Sequence, residues 1–308
     1  MTVALALIAL LLVIAVAVVL RRRVAGRIDP AGQATPGPLH FGSGEHPLEG
    51  VVPVPGEPAR GPPLPVVLVH GLFGFDRIGV LHYFRGITAH LETLGCHAHA
   101  VRLPAAASVP ERAQRLVDRI TALGHDRVDV IAHSLGGLDA RYAVSKLGLA
   151  SRVRALVTIG TPHQGTPLAS LGENGPLAAL RKALSALGIS LHALDWLSPA
   201  ALERFNADVP DAPGVRYACV VGGIRDAKTG VPLPLSPVHH YLRRVAGAND
   251  GLVPVSSQYW GETLAEIEAD HFAQIGWRVG LGHTFDAAGL YAFVVARLGD
   301  VTAARHVA

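Results

Sequence analysis

Six consecutive residues, Ala132-His133-Ser134-Leu135-Gly136-Gly137, set a serine between small residues two positions before and two positions after it. That spacing suits a nucleophile carried on a sharp strand-to-helix turn, because the flanking strand and helix crowd the bend and leave no room for larger side chains. The first small position is Ala132, one methyl larger than glycine, and the second, Gly136, lets the start of a helix pack closely. Residues 128–131 form an apolar, strand-like run and 135–147 show helical periodicity, so Ser134 falls where such a turn belongs. A helix N-terminus behind the hydroxyl would also favour negative charge developing beside it. The plain alternative is a serine that merely caps a helix.

A serine hydroxyl is a weak nucleophile until a base takes its proton and an acid orients that base. Folds that carry the nucleophile on this turn supply the acid and then the base from later loops, in that order along the chain. After an apolar run at 215–221 the acid candidates are Asp226 and Asp250. Asp250 lies in Ala248-Asn249-Asp250-Gly251-Leu252-Val253-Pro254, where an Asp-Gly turn would hold its carboxylate on a tight loop. Asp226, in Arg225-Asp226-Ala227-Lys228, reads as a solvated turn. The chain has 16 histidines, so position must decide the base. His271 opens Asp270-His271-Phe272-Ala273-Gln274 after a weak last strand and is the preferred base, with His283 as the alternative; His239 and His240 precede Asp250 and break the order.

The first apolar run ends in His70-Gly71-Leu72-Phe73-Gly74, a loop able to bring a backbone donor over the serine. The N–H groups of Leu72 and Leu135 are the expected oxyanion hole, and His70 reads as a brace for the loop rather than as a catalyst. Together these residues specify acyl transfer: His271 removes the Ser134 proton, Asp250 fixes the imidazole, and water releases the acid from an acyl-enzyme.

The elements that must position this chemistry alternate. Strands are expected at 66–69, 98–103, 128–131, 153–159, 215–221 and, weakly, 264–267; helices at 82–94, 109–123, 135–147 and 287–298. Continuous apolar strands separated by helices imply an α/β fold, a mainly parallel sheet covered on both faces. Between 161 and 213 the alternation stops, with helix-like stretches at 177–187 and 199–206; an insertion of that size is expected to be a lid. Its leucines, with Leu180, Leu184, Leu187 and Trp196 as the substrate-binding candidates, could line an acyl groove or simply pack the lid.

With 308 residues, 50% hydrophobic and 17% charged, the chain can bury a large single core. A formal net charge of +3 is too small for a phosphate-tracking surface, so nucleic acid is not an expected partner. Cys96 and Cys219 sit in apolar runs and read as buried free thiols, a disulfide between them being the alternative. Residues 3–20 are all Ala, Val, Leu or Ile, about 27 Å of helix at ~1.5 Å per residue, which nearly matches a bilayer core. Arg21, Arg22 and Arg23 follow the run rather than precede it, which favours an uncleaved anchor over a signal peptide and keeps the following domain on the cytoplasmic side. The expected organisation is a transmembrane anchor at 1–23, a Pro/Gly-rich linker with an edge segment at 24–64, and a catalytic domain at 65–308. Composition leaves the oligomeric state open.

From residue 65 onward the chain resembles the pseudomonad-type bacterial triacylglycerol lipases of the α/β-hydrolase superfamily. The resemblance rests on Val-Leu-Val-His-Gly-Leu-Phe-Gly (67–74), Ala-His-Ser-Leu-Gly-Gly-Leu-Asp-Ala-Arg-Tyr (132–142), Thr-Ile-Gly-Thr-Pro-His-Gln-Gly-Thr (158–166), Asn-Asp-Gly-Leu-Val (249–253) and Asp-His-Phe-Ala-Gln (270–274). It implies an α/β-hydrolase core, a helical lid at 161–213, hydrolysis of acylglycerols or related lipid esters, and the same triad and oxyanion residues. The family often holds calcium through an aspartate two residues after the histidine; Ala273 stands there, so neither a metal nor another cofactor is expected, calcium being the one the resemblance would allow. The family's cysteine shortly after the acid is matched by Ser256 or its neighbours, and the family is secreted whereas this chain reads as anchored. Two further functions remain compatible: the same triad used by an acyltransferase or a phospholipid or protein deacylase, and a non-catalytic binding module on the same scaffold.

Overall fold

The computed structural model describes residues 64–72, 77–78, 81–105, 107–170, 192–224, 235–278 and 285–299. The expected anchor, linker and edge segment, the candidates Leu180, Leu184 and Leu187, and the alternatives Asp226 and His283 lie outside these residues. Among the described residues no helix is long and apolar enough to cross a membrane.

Six strands form one sheet in the order β4-β1-β5-β6-β7-β8: β1 (Val66–Val69), β4 (Ala98–Val101), β5 (Val128–His133), β6 (Val153–Ile159), β7 (Arg216–Gly223) and β8 (Glu262–Glu268). Every neighbouring pair is parallel. All residues of β1 and β5 are buried, as befits central strands covered on both faces. Because side chains alternate across a strand, Val66 and Leu68 enter one core while Val67 and Val69 enter another. The first core is closed by helices α1 (Ile87–Thr93) and α8 (Ala287–Gly299), the second by α2 (Val109–Ala122) and α3 (Leu135–Lys146).

Helix α2 shows why these segments are helical. Ser108 and Glu111 form a capping box, with the Ser108 N–H donating to Glu111 Oε2 at 2.9 Å, and Val109, Ala113, Leu116 and Ile120 bury one face. The expectation of a helix over 82–94 is corrected by the structure. Leu81–His82 (β3) pairs antiparallel with Arg77–Ile78 (β2), and α1 begins only after Gly86, whose φ of 73° no helix interior would hold. The strand expected to run to residue 103 ends at Val101, since the Leu103 N–H turns to the His70 imidazole at 3.0 Å. The 161–213 region contributes a short helix α4 (Pro167–Ser170), a 3-10 turn at His192–Trp196 and α5 (Pro199–Asp208). Two later helices, α6 (Ser236–Val245) and the one-turn α7 (Val255–Gln258), were not expected from the sequence; they flank the Asp250 loop. Cys96 and Cys219 are buried and free.

Candidate active site

The turn after β5 leaves Ser134 at φ 57° and ψ −132°, the one positive φ outside glycine among the described residues. An L-residue held there is strained, and the surroundings must impose it. Close packing does so. A methyl on Gly136 would stand 2.7 Å from the Val69 carbonyl oxygen, and one on Gly137 would stand 2.7 Å from Thr161 Cγ2. The Thr161 hydroxyl then donates to the Ser134 carbonyl at 2.8 Å and pins the bend from β6.

Three side chains widely separated in sequence converge there. His271 Nε2 lies 2.9 Å from Ser134 Oγ, and its Nδ1 lies 2.7 Å from Asp250 Oδ2. Asp250 is fully buried, so its carboxylate needs donors. The backbone N–H groups of Leu252 (3.0 Å) and Val253 (2.8 Å) supply Oδ1, and the Gln274 amide supplies Oδ2 at 3.1 Å. The His271 N–H also donates to the Asp250 carbonyl at 2.9 Å, tying the two loops together. With Nδ1–H given to the carboxylate, Nε2 is left as the acceptor for the serine proton, which is the arrangement for nucleophilic attack.

The loop after β1 closes over the serine: a methyl on Gly71 would lie 2.7 Å from Ser134 Cβ. Leu135, as the first residue of α3, has no intrahelical acceptor for its N–H, so that donor is available beside the hydroxyl. Leu72 is partly buried and packs in the same apolar cluster as Leu135 and Leu138. Trp196, the one lid candidate within the described residues, packs at the edge of that cluster, its ring 6.4 Å from Phe205 in a T-shaped contact. The cluster is thus an apolar wall running from the loop and the helix start to the described end of the lid region.

Several residues that hold the site escaped the sequence reading. Arg112, buried on the inner face of α2, donates to the His70 carbonyl at 2.8 Å, to the Gly71 carbonyl at 3.3 Å and to the Pro104 carbonyl, and pairs with Asp139 at 2.8 Å. An arginine at a core position of an amphipathic helix was the available signal. His70, expected from the sequence as the brace of its loop, is buried, accepts from Leu103 and donates through Nδ1 to the Gly71 carbonyl; burial holds its pKa down at about 3, so it stays neutral. Tyr83 accepts from the Gly71 N–H at 3.1 Å and donates to His133 Nδ1 at 2.8 Å. The His133 ring lies 4.5 Å from that of His271, and burial keeps it well below the usual histidine range. At the base of the lid Arg141 reaches Asn206 at 2.9 Å and the Val209 carbonyl at 3.2 Å, while its guanidinium sits 3.4 Å above the Trp260 ring.

Ala273 offers no carboxylate, and among the described residues no three His, Cys, Asp or Glu side chains gather as a metal site.

Residues 58–207 match a domain family described only as a domain of unknown function (DUF7379). The chain is similar to the triacylglycerol lipase of Pseudomonas fragi, 35% identical over 259 residues that span 68% of this chain and 87% of the relative. It is similar to the triacylglycerol lipase of Vibrio cholerae at 35% identity over 263 residues, spanning 72% and 82%. In fold it is similar to a metagenomic carboxyl esterase, with a TM-score of 0.65, 22% identity, and 77% and 76% of the two chains covered.

Proposed function

The chain belongs to the triacylglycerol lipase family of α/β-hydrolases and is a carboxylic ester hydrolase, and on that footing we propose that it cleaves acylglycerol-like or other lipid esters through an acyl-enzyme on Ser134. In this reading the Ser134 hydroxyl attacks the ester carbonyl as His271 takes its proton. Asp250 orients the imidazole and stabilises its charged form. The N–H groups of Leu72 and Leu135 hold the oxyanion, and the alcohol leaves with the proton from His271. Water then attacks the acyl-enzyme with the same base, releasing the acid and restoring Ser134.

The observation that carries this reading is the hydrogen-bonded line Ser134 Oγ, His271 Nε2 and Nδ1, Asp250 Oδ2, at 2.9 and 2.7 Å. A lipid acyl chain is favoured by the apolar cluster of Leu72, Leu135, Leu138 and Trp196 next to the hydroxyl. Residues 1–23 anchor the enzyme in a membrane, with residues 65–308 as the catalytic domain on the cytoplasmic side; protease protection of that domain in intact cells is expected, and its cleavage there reverses the orientation. The substrate reading is tested with a chain-length series of p-nitrophenyl esters on the full chain in detergent. Turnover that rises with acyl length and vanishes in Ser134→Ala supports it. Turnover independent of Ser134 rejects it.

A further inference from the structure

Gln274 has no proton to exchange, yet it is completely buried against the triad. Its Nε2 donates to Asp250 Oδ2 at 3.1 Å, the same oxygen that faces His271 Nδ1. The space it fills exists because two strand ends carry glycine. A methyl on Gly160, just after β6, would collide with Gln274 Oε1, and one on Gly222, in β7, would collide with its Nε2. Gln274 and the backbone of His271 both bear on His133, and His133 Nε2 and Gln274 Oε1 are buried without a hydrogen-bond partner of ordinary geometry among the described residues. With Tyr83 donating to His133 Nδ1, the neutral imidazole carries its proton on Nε2, the atom suited to give it to an amide oxygen.

We propose that Gln274 is a positioning residue for the acid and base: its amide fixes which oxygen of Asp250 faces His271 and, through His133 and Tyr83, ties that carboxylate to the loop bearing Gly71. The inference rests on Asp250 serving as the acid of the triad. An amide suits the position because it donates without titrating. A carboxyl there would bring a second negative charge against Asp250 and a proton to be shared between them. The groups facing the pair are few: His133 from β5, Asp270 from the His271 loop, and His239 from α6, which reaches Asp250 electrostatically. The Gln258 amide, from α7, lies 3.5 Å from the same Asp250 oxygen but is bound at 2.9 Å to the Gly222 carbonyl, which leaves Gln274 as the amide that joins Asp250 to His133.

The test compares the full-length protein with Gln274→Met, which keeps length and removes the donor. Hydrogen bonds to a charged group are strong enough that losing one is expected to lower kcat about ten- to a hundredfold. KM should be unchanged, because no substrate contact is lost. Gly222→Ala, which pushes the amide aside without altering it, should give the same signature, and in a Gln274→Ala background it should cost nothing further. A Gln274→Met enzyme with the wild-type kcat, or one whose loss lies in KM instead, or a Gly222→Ala effect that is undiminished when Gln274 is absent, overturns the proposal. Asp250→Asn run in parallel separates the two readings. Its inactivity with Gln274→Met unaffected defeats only the role of Gln274, whereas wild-type turnover by Asp250→Asn defeats the triad itself.

Discussion

Gly71 and Ser134 touch: the α-carbon of Gly71 comes so near the nucleophile turn that a methyl there would sit 2.7 Å from Ser134 Cβ and 3.1 Å from its Oγ. The loop expected to bind the oxyanion therefore lies directly against the serine, and glycine is the residue that permits the approach. Gly71→Ala should force the loop and the serine apart. Loss of one oxyanion donor costs on the order of 10²-fold or more in rate, so kcat should fall by at least that factor. Thermal melting should fall as well, because Gly71 is buried and its N–H and carbonyl are bonded to Tyr83, His70 and Arg112. Steady-state kinetics on a short p-nitrophenyl ester, alongside a melting curve, would check both; an unchanged kcat would mean that the loop does not act on the reaction.

The same loop is braced from beneath by Arg112, whose other end is neutralised by Asp139 at 2.8 Å, both side chains being fully buried. Removing one member of such a pair leaves an uncompensated charge, at a cost of about 3–5 kcal/mol. Asp139→Ala should therefore lower stability by that order and also reduce turnover, since Arg112 carries the carbonyls of His70 and Gly71. Arg112→Met/Asp139→Leu, an apolar replacement of the pair, should regain most of the stability but not the activity. Urea denaturation and kcat on the same samples separate the two effects.

Three buried histidines give stability a pH dependence of definite sign. His70 is lowered to about 3, and His133 and His163 lie well below the usual value, in each case chiefly through burial. Below about pH 6.5 the unfolded chain protonates them and the folded chain does not, so stability falls as pH falls, by about 1.4 kcal/mol per unit for each histidine. His239 is lowered in the same way and adds to the fall, whereas Asp139, Asp129 and Asp270, pushed up by burial, bind a proton more readily when folded and offset part of it. Urea midpoints measured from pH 7.5 to 5 should thus decline below about pH 6.5; a flat or rising series would show that these imidazoles are not held neutral.

That Ser134, Asp250 and His271 would converge was legible in the sequence, because each sits in a local pattern with a structural consequence. Ser134 lies between small residues at a strand end, Asp250 in an Asp-Gly turn, and His271 after the last strand. The parallel sheet was legible because β1, β5 and β6 are continuous apolar runs, and residues 66–69 and 153–159 were bounded as the structure has them. The supporting residues were not legible. Gln274, Tyr83, Arg112 and His133 are ordinary polar residues until the fold buries them, and their partners lie 24, 50, 27 and 50 positions away. Helix α6 was missed for a related reason: its apolar face is narrow, with only Val238, His239 and Leu242 buried. The start of α1 was misjudged because apolar Phe84 and Tyr83 continue the helical spacing of the segment, while Gly86 and the pairing of β2 with β3 end it.

The reading stands or falls on whether Ser134 is an activated nucleophile. The direct measurement is to react the full-length protein in detergent with a fluorophosphonate and map the modified peptide by mass spectrometry. The modification should fall on Ser134, and in His271→Ala its rate should drop by orders of magnitude with the fold intact. Modification at another residue, or labelling of Ser134 that is as fast without His271, would contradict it.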